Sequence, residues 1–288
     1  MKENQIFSKR RFLNLGGELF ELNSPLVMGI VNLTEDSFYE VSRVSSNDQL
    51  LRVVEKMVNE GADIIDLGAQ STRPGAIALS AEDEIDRLLG AISLLKEHFP
   101  KVILSVDTFY GNVAEKAVEA GAALINDISG GTFDSTMFEV IAKMKVPYIL
   151  MHTGGRPEWM QQNPTYSDVV AEVINFLSIQ IEKLTNLGVH DIIVDPGFGF
   201  GKTIDHNYKL LNALSHLSFL ERPILVGLSR KSMIYKPLNS SPNEVLDGTS
   251  ALHLFALQKG ANILRVHDVK EAKEIIKLHH LLIDNALD

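Results

Sequence analysis

Leu26-Val27-Met28-Gly29-Ile30-Val31-Asn32 is an apolar run that stops at a polar side chain, and the arrangement recurs along the chain. Further runs stop at Asp66, Asp107, Asn126-Asp127, Met151-His152, Asp195, Ser229-Arg230-Lys231 and Arg265-Val266-His267. They are rich in Val and Ile with little alternation, as in strands buried on both faces. Between them, apolar residues fall at helical spacing, for example Leu50, Leu51, Val53, Val54, Met57 and Val58. Repeated strand-then-helix units require a parallel sheet, and eight of them imply an α/β fold closed as a (β/α)8 TIM barrel. There the C-terminal ends of all strands open on one face, so residues scattered over the chain can line one pocket.

The expected strands are 26–32, 63–67, 102–106, 124–126, 148–151, 192–194, 224–228 and 262–266. Residues 5–23 alternate apolar and polar around Gly16-Gly17 and read as a β-hairpin that plugs or flanks the barrel bottom. Gly61, Gly121, Gly188 and Gly260 each separate a helical stretch from the next run, where glycine suits the left-handed position after a helix. Ser80-Ala81-Glu82-Asp83 reads as an acidic helix start, and 167–187 as the longest helix. Residues 33–46 and 68–79 are long loops beside the expected pocket.

A chain of 288 residues with 45% hydrophobic content can bury a full core, and a single barrel domain over 1–288 accounts for that length. The formal net charge of -10 argues against a general grip on nucleic acid or anionic lipid, so any bound anion needs local positive charge. Cysteine is absent, which removes disulfides and thiolate metal sites and fits a reducing cytoplasm. No apolar run approaches the ~18 residues needed to cross a bilayer, and the first residues carry no apolar signal core. The expectation is a soluble cytoplasmic protein.

Asp195-Pro196-Gly197-Phe198-Gly199-Phe200-Gly201-Lys202 is the densest signal. Its glycines let backbone approach a flat ligand, and Asp195 can accept two hydrogen bonds from an amidine-like edge. A glycine-rich turn with a capping aspartate explains the octapeptide equally well. Asp107 and Asn126 offer acceptor and donor capacity that suits the edge of a heterocycle. Ser229-Arg230-Lys231-Ser232 offers two cations and two hydroxyls at the mouth. Arg265 and His267 share one side of the last strand, where this fold seats phosphate; the plain alternative is Asp268 capping the next helix beside a surface arginine. Ser71-Thr72-Arg73-Pro74-Gly75 reads as a phosphate clamp or a turn. Asp66 reads as barrel wall, and His152 as a structural histidine with no companion at metal-ligand spacing.

Together, Val27 to Phe38, Gly61 to Asp66, Ser71 to Ala76, Ser105 to Thr108, Ile125 to Ile128, the Asp195 octapeptide, Ser229 to Ser232 and Arg265 to Asp268 resemble the dihydropteroate synthase family, in order and over essentially the whole chain. The resemblance implies a TIM barrel joining 6-hydroxymethyl-7,8-dihydropterin pyrophosphate to p-aminobenzoate, with Mg2+ as cofactor and a homodimer as the assembly. It implies that Asp107, Asn126, Asp195 and Lys231 hold the pterin, with Ile128 and Met151 against its ring. Asn32, Thr72, Arg73, Arg265 and His267 would hold the pyrophosphate, Asn32 through Mg2+. Pro74, Phe200, Lys231 and Ser232 would frame p-aminobenzoate, and Asp107, Lys231 and Arg73 would be the catalytic groups. The chain departs from the family at Glu35, at Tyr39 to Arg43 and at Ala69-Gln70. Rival readings are a folate-dependent methyltransferase, a pterin-binding homologue without turnover, and a phosphosugar isomerase on the same barrel.

Overall fold

The described chain opens with an antiparallel hairpin, β1 (Phe12–Leu15) and β2 (Glu18–Glu21), turned at Gly16 and Gly17, whose φ values are 65° and 91°. Eight parallel strands follow: β3 (Leu26–Asn32), β4 (Ile64–Gly68), β5 (Ile103–Asp107), β6 (Leu124–Asp127), β7 (Tyr148–Met151), β8 (Ile192–Asp195), β9 (Leu225–Val226) and β10 (Ile263–Val266). The helices are α1 (Asn47–Asn59), α2 (Ala81–His98), α3 (Gly111–Glu119), α4 (Met137–Met144), α5 (Val169–Asn186), α6 (Ile204–Asn212), α7 (Ser232–Tyr235), α8 (Leu246–Gln258) and α9 (Val269–Asp284). This computed structural model describes residues 12–33, 46–70, 79–156, 159–162 and 164–286.

Each strand pairs with its neighbours in sequence, and β10 returns to pair with β3. The sheet closes between β8 and β9, where the Val194 amide donates to the Pro223 carbonyl at 2.9 Å and Val194 bridges Ile224. The fold is therefore the expected barrel, and the alternation within each strand sorts its side chains. Val27, Val31, Ile65, Leu67, Val106, Ile125, Leu150, Val194 and Leu264 face outward and join the helices in one large apolar cluster. Met28, Ile64, Leu124, Ile149, Ile193, Leu225 and Ile263 face inward, in a second cluster closed by Leu13, Leu15 and Leu22. The hairpin thus plugs the N-terminal end of the barrel, leaving the C-terminal end for chemistry.

Ser46, Ser80 and Asp168 cap α1, α2 and α5 by accepting backbone amides, which anchors the helices after the long loops. Two expectations change. Helix α2 has 18 residues, as long as α5. Strand β9 is shorter than 224–228, because the Ile224 amide donates to Asn262 Oδ1 rather than to a strand and the chain turns beyond Val226 towards Arg230.

Candidate active site

Two residues above the inward apolar layer, the same alternation brings Asp66, Ser105, Asn126 and Arg265 to the barrel axis. Asp66 has no exposed surface, and its carboxylate accepts Ser105 Oγ at 2.6 Å, Asn126 Nδ2 at 3.0 Å and Arg265 Nε at 2.7 Å. Arg265 Nη2 reaches Asp107 Oδ2 at 2.7 Å, so one guanidinium spans two carboxylates. Burial raises the Asp107 carboxyl, the Arg265 charge pulls it back, and Asp66, Glu84 and Asp127 push it up again. The Arg265 guanidinium holds its proton more tightly than usual, because Asp66 and Asp107 outweigh the cost of its burial.

Asp195 ends β8 and accepts the Gly197 amide at 2.7 Å, which caps the turn. Lys231 follows the neighbouring strand β9, donating to the Phe198 carbonyl at 2.5 Å with Nζ 4.6 Å from the Phe200 ring centroid. Burial lowers Lys231 to about 8, and the nearby Asp195 charge opposes that shift. The aspartate thus caps the turn, as the plainer reading of the octapeptide has it, and the turn carries Phe200 to the apolar patch at the mouth. Gly197 is obligatory here: its φ is 70°, and a Cβ would stand 1.9 Å from the His152 carbonyl oxygen. Lys202 lies beneath the turn, bonded to His152 Nδ1 at 2.9 Å and to the Gly197 and Phe200 carbonyls at 2.9 and 3.1 Å. Burial pulls Lys202 down to about 7 and His152 to about 3, so His152 is a neutral acceptor, a structural histidine as read from the sequence.

Phe109, Ile128 and Met151 form a separate buried apolar patch at the mouth, flanked by Tyr110, Phe133 and Phe200. A flat, polar-edged ring has what it needs in such a place: an apolar face, carboxylates and an amide at its rim, and cations nearby.

On the opposite wall, Ser229 Oγ lies 3.0 Å from His267 Nδ1. Burial lowers His267 to about 3, with the Arg265, Arg230 and Lys231 charges adding to that. The imidazole is therefore neutral, paired with the Ser229 hydroxyl. Arg230 does not face an anion site. It makes two hydrogen bonds of 2.8 Å to the Asp268 carboxylate and others to the Pro242 and Asn243 carbonyls, with φ at 57°. Asp268 stands at the N-cap position of α9, but its side chain makes no cap hydrogen bond, its oxygens being paired with Arg230. Asn32 ends β3, Ser232 begins α7, and both stand at the mouth. Thr72, Arg73 and Pro74, together with Glu35 and residues 39–43, lie outside the described residues.

The geometry thus brings Asp107, Asn126, Asp195, Lys231 and Arg265 to one end of the barrel, beside Ile128, Met151 and Phe200. Sequence reasoning undervalued Asp66, which aligns Asn126 and Arg265, and overlooked Ser105 and Lys202. The available signal for Asp66 was its position: it stands at the same strand end as Asp107 and Asn126.

A family model described as pterin binding enzyme matches residues 28–267. The dihydropteroate synthase of Escherichia coli K12 is 40% identical over 264 residues, covering 91% of this chain and 93% of that one. That of Synechocystis is 42% identical over 270 residues, covering 92% and 93%. Among solved structures, the Yersinia pestis dihydropteroate synthase with a sulfonamide drug superposes with a TM-score of 0.90 at 39% identity, covering 96% of this chain and 100% of that one. The Thermus thermophilus enzyme in complex with 4-aminobenzoate gives 0.84 at 38% identity, covering 94% and 100%. The chain belongs to the pterin-binding enzymes and, among them, to the dihydropteroate synthase family.

Proposed function

We propose that the chain is a transferase joining 6-hydroxymethyl-7,8-dihydropterin pyrophosphate to p-aminobenzoate, giving 7,8-dihydropteroate and pyrophosphate in folate biosynthesis. The observation that carries the reading is the meeting of Asp107, Asn126, Asp195 and Lys231 around one apolar patch in a chain of this family. In this reading those four residues hold the pterin rim, with Ile128 and Met151 against the ring. Arg265, His267, Thr72 and Arg73 hold the pyrophosphate. Phe200, Pro74, Lys231 and Ser232 frame p-aminobenzoate, the subsite that sulfonamides would occupy.

In the reaction the carbon–oxygen bond to pyrophosphate breaks and the arylamine nitrogen bonds that carbon, losing a proton. Negative charge grows on the leaving group while positive charge spreads into the pterin. Asp107 offsets the second charge, and the cationic side chains, with Arg73 among them, offset the first. No covalent enzyme intermediate is needed. A pyrophosphate charge beside His267 would favour its protonated form.

Mg2+ belongs to the same proposal. Among the described residues no group of three His, Cys, Asp or Glu side chains is arranged to hold a cation. Asn32 and Asp107 flank Gly68, where a Cβ would lie at an ordinary contact distance of 3.7 Å from both Asn32 Oδ1 and Asp107 Cβ. A hard cation bound chiefly by substrate phosphate oxygens, with Asn32 adding one protein oxygen, fits that donor set. When bound it would neutralise charge on the departing pyrophosphate. A homodimer and a cytoplasmic site are proposed from the family resemblance; no described helix is long and apolar enough to cross a membrane.

The test is incorporation of labelled p-aminobenzoate with and without the pterin pyrophosphate, Mg2+ and a chelator. Product and pyrophosphate in equal amounts, dependent on both substrates, are expected. Pterin binding without product would leave a non-catalytic binder, and methyl transfer from a folate would put the chain with the methyltransferases.

A further inference from the structure

Lys202 ends the glycine octapeptide and turns back beneath it, and the backbone above it is held largely by side chains. The turn has φ values of 70°, 83° and 63° at Gly197, Gly199 and Gly201, and it belongs to neither helix nor sheet. Its carbonyls are taken one after another by side-chain donors. Lys202 Nζ donates to those of Gly197 and Phe200 at 2.9 and 3.1 Å, Lys231 to that of Phe198, Gln161 Nε2 to that of Gly199, and Tyr166 OH to that of Gly201 at 2.8 Å. Lys202 thus grips two carbonyls at once and ties both to His152 Nδ1, 2.9 Å away, just after β7. It is 3% exposed and belongs to the interior, whereas Gln161 is exposed and Tyr166 half-buried. Phe200 rides on this turn, with its ring against Phe109, Ile128 and Met151 and facing the Lys231 ammonium.

We propose that Lys202, with Gln161 and Tyr166 at the rim, is a positioning residue for p-aminobenzoate: by holding the carbonyls of Gly197 to Gly201 it fixes the Phe200 ring without itself touching either substrate. This rests on the place given to Phe200 under Proposed function. The requirement is geometric, since a binding group displaced by about 1 Å can cost up to ~10²-fold in rate. Stability alone is a weak reason for a buried lysine, because taking an ammonium out of water is costly. What the lysine adds is donors aimed at backbone that no ladder satisfies. Charged, it has three N–H groups for the two carbonyls and the imidazole. Uncharged, it keeps two for the carbonyls, while its lone pair accepts from the other imidazole tautomer. The grip on Gly197 and Phe200 therefore survives the downward pull of burial on its proton. Asp195 is placed separately, by pairing of β8 with β7 at Met151, so the pterin rim and the Phe200 side of the site should respond differently to loss of the clamp.

The experiment compares the parent with Lys202→Met, which keeps the length and removes every donor, with the rim pair Gln161→Ala/Tyr166→Phe, with Phe200→Leu, and with each of the first two combined with Phe200→Leu. The readouts are kcat and KM for p-aminobenzoate at saturating pterin pyrophosphate, and calorimetric binding of 6-hydroxymethyl-7,8-dihydropterin. Lys202→Met is expected to lower kcat/KM for p-aminobenzoate ~10- to 100-fold, and the rim pair to lower it by a smaller factor. Affinity for the pterin alcohol should stay close to the parent value, and Lys202→Met should add little once Phe200 is replaced. Parent-like kinetics in Lys202→Met, an equal loss of pterin-alcohol affinity, or fully additive effects with Phe200→Leu would each overturn the proposal. Should Lys202→Met not fold, the rim pair and its combination with Phe200→Leu decide by the same criteria, since those side chains reach the turn from the surface. A parent-like Phe200→Leu would remove Phe200 from the subsite, and the clamp's role with it, while leaving the function intact. A parent that makes no product would overturn the function on which both rest.

Discussion

Asp107 sits between opposing influences, with burial raising its carboxyl and a guanidinium 2.7 Å away lowering it. That balance suits a group whose charge is wanted only when a pterin cation develops against it. Asp107→Asn keeps the shape and removes the charge, so kcat should fall ~10²- to 10³-fold while pterin affinity changes by less than ~10-fold; single-turnover kinetics beside calorimetry separate the two. Lys231 supplies the pH dependence. Its cationic form is lost as pH rises through about 8, so kcat/KM should fall above that pH, whereas Lys231→Arg should keep a flat profile there at a lower plateau. An unmoved falling limb in Lys231→Arg would assign it to another group. Asp66 shows where residue-level reading stops. A lone strand-end aspartate looks like barrel wall until Arg265, 199 positions away, is seen to hold it.

At the scale of elements, strands were legible because two independent signals agree, β-branched apolar composition and a polar stop. Their ends were placed to within a residue or so, except in β9. There a side chain, Asn262, takes the backbone donor that a strand would have used, and composition carries no trace of such a substitution. The hairpin was legible from its alternation and its glycine pair; its role as a plug follows from the barrel's inward layer needing a floor. Leu13 is 1% exposed within that floor. Leu13→Ala should therefore cost ~2–5 kcal/mol of stability, read as a lower denaturation midpoint. Pterin affinity should not change, because the plug lies at the opposite end from the mouth. A variant with parental stability would remove the hairpin from the core.

For the molecule as a whole, buried neutral histidines link stability to pH. His253 on α8 is 3% exposed, and burial pulls it from 6.5 to about 4. A depressed histidine binds fewer protons folded than unfolded, so its contribution is fully present above pH 6.5 and shrinks as pH falls towards 4. The stability of the parent relative to His253→Asn should thus decline over that window by up to ~1.4 kcal/mol per pH unit. Denaturant melts at pH 7, 6, 5 and 4 measure it, and a constant difference would mean that the histidine titrates alike in the folded and unfolded chain.

The order of elements, the parallel sheet and the presence of polar groups at strand ends were all determined by the sequence alone, because each depends on local periodicity and on residues that punctuate it. Which of those groups meet was decided only by tertiary structure. Arg265 lies between Asp66 and Asp107, Arg230 is consumed by Asp268, and Lys202 turns inward under its own loop. The reason is physical: a hydrogen bond or ion pair requires atoms within about 3 Å. That proximity follows from how the strands stagger as the barrel closes, a property of the whole sheet that no single stretch of chain carries.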